Sequence, residues 1–183
     1  MLSIQEIEHA PLIELSKPKE LSHGMKIHRV GSEGPFSFKI SAKIPFAPSV
    51  FQGTGEEERQ GIVLSISEED HNKFTMFSES FKTQLAEKYP DIAGKWSSSS
   101  KQSSDKYPAQ LRAKIYVKGE RKCKYYDMEG STANVPESWR GLEVTAVVRL
   151  SSIYVQPRGA GVILTVTHIK YDPNAQQESN PFA

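Results

Sequence analysis

Thiols are nearly absent from this chain of 183 residues: its one cysteine is Cys123. A lone cysteine excludes an intrachain disulfide framework and any metal centre built from several thiolates, and it is the usage expected of a reducing compartment. Long apolar runs are missing too. Nothing approaches the roughly 18 residues of a membrane-spanning helix. Met1-Leu2-Ser3-Ile4-Gln5-Glu6 lacks the basic-then-apolar order of a secretory signal, so a soluble intracellular protein with no membrane partner is expected. Net charge is also small, 23 Lys and Arg against 22 Asp and Glu, which excludes a uniform polycation. With 37% hydrophobic and 25% charged residues the chain is not globally disordered, and its length suits a single domain.

The motifs whose spacing is dictated by catalysis are lacking as well. There is no phosphate-cradling Gly-x-x-x-x-Gly-Lys-Ser/Thr, no Gly-x-Gly-x-x-Gly, no Gly-x-Ser-x-Gly elbow and no His-Glu-x-x-His. The five histidines, His9, His23, His28, His71 and His168, are scattered, and His168 reads as an ordinary residue of the last strand. Cys123 stands between Lys122 and Lys124, which predicts a somewhat lowered thiol pKa, but no base accompanies it. Glu56-Glu57-Glu58 and Glu68-Glu69-Asp70 offer oxygen ligands for a divalent ion, yet acidic runs in loops and at helix starts are ordinarily just solvated. No enzyme, cofactor or metal site is expected.

What is present is mostly strand. Residues 1–35 carry turn formers (Pro11, Pro18, Gly24, Gly31, Gly34, Pro35) among isolated apolar side chains and read as an N-terminal arm with one short strand at most. From Phe36 to Ile44 the alternation is complete, with Phe36, Phe38, Ile40, Ala42 and Ile44 on one face and Ser37, Lys39, Ser41 and Lys43 on the other. Pro45 and Pro48 interrupt it, an acidic loop follows at Gly53 to Glu58, and a second strand spans Ile62 to Ile66. Ser67-Glu68-Glu69-Asp70 is a helix start, and Phe74, Phe77, Phe81 and Leu85 form an apolar stripe along a helix running to about Lys88, closed by Pro90 and Gly94. The run Ser97 to Ser104 is small and polar, and reads as a mobile loop. Further strands are predicted at Leu111 to Val117, Cys123 to Asp127, Leu142 to Val155 and Val162 to Tyr171, the last two joined by a turn at Gly159-Ala160-Gly161.

Five or six strands with one helix inserted mid-chain exclude an alternating parallel layout. They predict a mainly β fold, a five- to six-stranded antiparallel barrel of the oligonucleotide-binding (OB) kind over residues 36–171, with a short tail at 172–183. A five-stranded sandwich is the alternative.

The near-neutral total conceals a local excess. Lys95 to Tyr126 holds nine basic residues against two acids, a net +7, and the rest of the chain is close to −6. In the strand after Leu111, period two sets Arg112, Lys114, Tyr116 and Lys118 on the outer face, opposite Leu111, Ala113, Ile115 and Val117. Arg121, Lys122 and Lys124 follow, with Tyr126, and Trp96 is a further ring of the same segment. Cations neutralise phosphates and exposed rings stack bases, a pairing that suits a single strand whose bases are open. Arg149, Tyr154 and Arg158 extend the track, and Lys39 and Lys43 are weaker candidates. The competing reading is a solvated strand face with tyrosines half-buried at a barrel rim.

Three stretches carry a resemblance: Lys124-Tyr125-Tyr126-Asp127-Met128-Glu129-Gly130; Trp139-Arg140-Gly141-Leu142-Glu143-Val144-Thr145-Ala146-Val147-Val148; and Ile153-Tyr154-Val155 with Gly161-Val162-Ile163-Leu164-Thr165-Val166. Over about residues 36–171 the chain resembles the replicative single-stranded DNA-binding proteins of bacteriophages and large DNA viruses. The resemblance implies an OB barrel with an inserted helix and sequence-independent binding of DNA strands in replication, recombination or repair, within an infected cell and with no catalytic step. By strand position it implies a binding role for Lys114, Tyr116, Tyr126 and Arg149. The end of this chain, Gln176 to Ala183, holds one acid, Glu178, unlike the strongly acidic tails common in that family.

The expected partner is therefore single-stranded DNA. RNA, a second copy of the chain and replication proteins stay open as further partners. Two rival functions are a self-associating scaffold, such as a virion component, suggested by Val147 with Val148 and Ile163 with Leu164, and a metal-dependent nuclease using Glu56 to Glu58 or Asp70.

Overall fold

The computed structural model describes residues 1–31, 35–50 and 58–176. In chain order the strands are β1 (Ile13–Glu20), β2 (Lys26–Val30), β3 (Phe36–Ile44), β4 (Ser49–Val50), β5 (Arg59–Ile66), β6 (Trp96–Ser97), β7 (Ser100–Lys101), β8 (Ala109–Tyr116), β9 (Lys124–Tyr126), β10 (Leu142–Gln156) and β11 (Gly159–Tyr171). Helices α1 (Glu68–Ala86) and α2 (Ile92–Lys95) lie between β5 and β6.

Alternation decides what points inward. Phe38, Ile40 and Ile44 of β3, Ile62, Leu64 and Ile66 of β5, Leu111 and Ile115 of β8, Val144, Ala146, Val148 and Leu150 of β10, and Leu164, Val166 and Ile169 of β11 are all buried in one core. Their strands close on themselves: β10 pairs with β3, β3 with β5, β5 with β8, β8 with β11, and β11 with β10. A sheet that returns to its first strand is a barrel, so the mainly β barrel with an inserted helix is the fold observed. One join departs from the antiparallel expectation. β8 runs parallel to β11, with Thr165 beside Lys114 and Val166 beside Ile115, a pairing the chain can make because β9 and β10 intervene and give it length to return.

α1 closes one end of this ring. Ser67 caps it, its hydroxyl accepting from the Asp70 amide at 3.0 Å, and Phe74, Phe77, Phe81 and Leu85 are fully buried, each contributing about 1.5–3 kcal/mol by leaving water. Phe77 meets Phe36 at the start of β3 edge to face, ring centres 6.5 Å apart. His71 bonds the Ser100 hydroxyl of β7, and the Gln84 carbonyl oxygen accepts from the Ile13 amide of β1. The helix thus lies where β3 and β8 begin, leaving the far end of β8 away from it.

Several local expectations change. The N-terminal segment holds two strands rather than one at most: β1 and β2 form a hairpin, and β2 joins the second half of β10, with Ile27 opposite Tyr154. The turn between β10 and β11 is Pro157-Arg158, since Gln156 already pairs with Gly159, so the glycines lie inside the strand. The first part of the serine run is fixed rather than mobile: Ser99 accepts from the Arg112 amide, Ser100 is buried, and β7 pairs with β8. Residues 51–57, most of the acidic loop, and the tail from 177 lie outside the described residues.

Candidate nucleic-acid interface

On the outside of the barrel, residues paired across strands share a face. Reading outward from β8, Lys114 stands beside Thr165 of β11, Thr165 opposite Arg149 of β10, and Arg149 opposite Ser37 of β3. A second row holds Lys124 of β9, His168 of β11, Val147 of β10 and Lys39 of β3. A third holds Tyr126, Lys170, Thr145 and Ser41. Tyr116 ends β8 and faces Arg59 of β5.

The loop between β8 and β9 supplies the rest. Gly119 takes φ 77, the Lys122 amide donates to Gly119, and the Cys123 amide donates back to Tyr116, so the chain doubles over the end of β8. This fold-back lays the Arg121 guanidinium over the Tyr116 ring, 5.8 Å from its centroid. In β9 the alternation turns Lys124 outward, buries Tyr125 against Trp139 and leaves Tyr126 half-open. The turn that follows holds Tyr126 in place. Asp127 Oδ1 accepts from the amides of Glu129 and Ser131 at 3.0 and 2.8 Å, which also keeps that carboxylate occupied within its own turn. Tyr126 in turn stacks on His168, ring centres 6.0 Å apart and planes inclined by 22°. Burial, then the charges of Lys124 and Arg149, hold the His168 pKa below its ordinary value.

Of the residues singled out from sequence, the structure brings together Lys114, Tyr116, Arg121, Lys124, Tyr126 and Arg149, with Lys118 and Lys122 exposed on the adjoining loop. Arg112 is exposed one pleat nearer the helix, opposite Val63. Trp96, Tyr154 and Arg158 stand apart. Trp96 donates to the Ser78 hydroxyl of α1 at 2.8 Å, and Tyr154 leans over Gly161 beside Ser97. Tyr154 stands five positions from Arg149, about 16 Å at ~3.3 Å per residue. Both nevertheless face outward, because a register shift between Leu150 and Ser152 adds one residue to β10.

His168, Lys170 and Arg59 belong to this face and were not picked out. A second register shift sets both Thr167 and His168 outward, and a plain period-two reading conceals that. Lys95, counted in the basic excess, is instead paired with Asp91 on α2. Cys123 also differs from expectation: it is buried, and burial pushes its thiol up to about 12 instead of letting the neighbouring lysines lower it. Asp70 Oδ1 accepts from the Gln5 side-chain Nε2 at 2.7 Å. Val147 and Ile163, read as interface material, are half-buried, and Val147 lies between Lys39 and His168 within the basic face. Beyond Lys170 the face opens into a groove of about 800 Å³ lined by Ser41, Lys43, Thr145 and Arg140, and also by Glu143 and Asp172.

No protein-family model matches the chain, and no curated protein matches it. Among solved structures it is similar to the single-stranded DNA-binding protein from bacteriophage Enc34. A C-terminal truncation of that protein gives a TM-score of 0.48 at 12% identity, over 85% of this chain and 94% of that one. Its complex with ssDNA gives 0.45 at 12% identity over 93% and 99%, and a further structure gives 0.43 at 10% over 84% and 87%.

Proposed function

We propose that the chain binds single-stranded DNA without sequence preference and without a catalytic step, in replication, recombination or repair. The observation that carries this is the outer face of β8 to β11, where the rings of Tyr116, Tyr126 and His168 lie among Lys114, Arg121, Lys124, Arg149 and Lys170. Cations alone would suit any polyanion. Rings set between them offer stacking to unpaired bases, worth roughly 1–3 kcal/mol each, which a duplex does not present. Duplex readers insert a helix or ribbon into the major groove, whereas α1 is packed across the barrel end and begins with Glu68, Glu69 and Asp70, which phosphates would repel.

The test is titration of a labelled polythymidine strand at low salt, against duplex of equal length. Preferred binding of the strand is expected, with a log–log salt slope of about −3 to −4 if five phosphates are neutralised at ~0.7 each. Absence of binding, or a preference for duplex, rejects the reading.

A further inference from the structure

Resting on the single-strand reading, we propose that His168 contacts the bound strand and takes up a proton as a phosphate arrives, so that this face grips nucleic acid more tightly as pH falls. His168 is central to the face, between Val147 of β10 and Lys124 of β9, with its plane set by the Tyr126 ring. Its Nδ1 lies 2.9 Å from the Thr167 hydroxyl oxygen, and that hydroxyl donates to the Val147 carbonyl at 3.3 Å. A carbonyl can only accept, so the single hydroxyl hydrogen is committed there and the Thr167 oxygen accepts from Nδ1–H. Nε2 is left as the nitrogen that answers to a ligand: a lone pair when the ring is neutral, an N–H donor when it is charged.

The titratable and charged groups around the ring are Lys124 and Tyr126 from β9, Arg149 from β10, Lys170 from β11 itself, Lys114 from β8 beside Thr165, and Lys39 from β3 opposite Val147. The charges among them are positive. Burial and the charges of Lys124 and Arg149 favour the neutral ring in the free protein. A phosphate opposes this: its charge offsets those cations, and its oxygen needs a donor where Nε2 holds a lone pair. Protonation and strand binding then favour each other by the same factor.

The experiment measures affinity for polythymidine between about pH 5.5 and pH 8, a range in which histidine titrates and neither thymine nor a phosphodiester does. Wild type should bind about tenfold more tightly at the acid end, the effect of a rise of about one unit in the histidine pKa on binding. His168→Gln should flatten the dependence of affinity on pH. The His168 imidazole, followed by NMR in the wild-type chain, should titrate at higher pH with the strand than without it. A flat wild-type profile, an unchanged dependence in His168→Gln, or an imidazole that titrates no higher with the strand overturns the proton linkage. A strand that fails to bind at any pH in low salt overturns the single-strand reading itself.

Discussion

The guanidinium of Arg121 lies over the ring of Tyr116, 5.8 Å from its centroid, and Tyr116 pairs in register with Arg59 of β5. With the guanidinium over one face of the ring, a base would stack on the other face while Arg121 meets a phosphate. Tyr116→Ala should weaken strand binding by roughly 1–3 kcal/mol and leave the salt slope nearly unchanged. Arg121→Ala should make the slope shallower by about 0.7. Titrations of both variants at three salt concentrations check this, and equal effects on slope would contradict the division of labour.

Gly161 is the place where β11 has no room for a side chain. A Cβ there would stand 2.8 Å from the Ser97 carbonyl oxygen and 3.2 Å from the Tyr154 hydroxyl oxygen. Backbone would have to move, and β6 would lose its pairing with β11. Gly161→Ala should destabilise the fold by about 1–3 kcal/mol in urea unfolding. A change below a few tenths would mean that β6 is not anchored there.

Cys123 should be silent in the native state. Its thiol is buried and pushed up to about 12, with the Tyr125 phenol pushed up beside it, so a small disulfide reagent should label the unfolded chain and not the folded one. The sign of the pH effect follows. An unfolded thiol ionises near pH ~8.5 while the folded one stays neutral, so above that pH the unfolded state binds fewer protons and stability falls as pH rises. Cys123→Ala should show a smaller loss of stability between about pH 8 and pH 10 than wild type.

What could be read in advance was what repeats locally. Phe36 to Ile44 declares its inward face in nine successive residues, and the α1 stripe of Phe74, Phe77, Phe81 and Leu85 follows helical spacing. The outward set Arg112, Lys114 and Tyr116 is legible for the same reason. What could not be read arises from pairings between distant segments. Lys124 reaches His168, and Lys170 reaches Tyr126, only through the parallel β9–β11 join, and the register shifts near Val147 and Ser152 change which residues face outward. Trp96 lies in the basic segment, but its bond to Ser78 depends on where α1 comes to rest. The fold-back from Gly119 to Cys123 likewise decides that Arg121 lies over Tyr116, and nothing in the local pattern announces it.

The face of β8 to β11 is tested most directly by ultraviolet cross-linking of a single strand carrying photoreactive pyrimidines, followed by peptide mapping. Adducts should concentrate on Tyr116, Tyr126 and His168, with Trp96 and the exposed side of α1 spared. Adducts mapping chiefly to α1 or to Trp96, with the β8 to β11 face unmodified, would contradict the account.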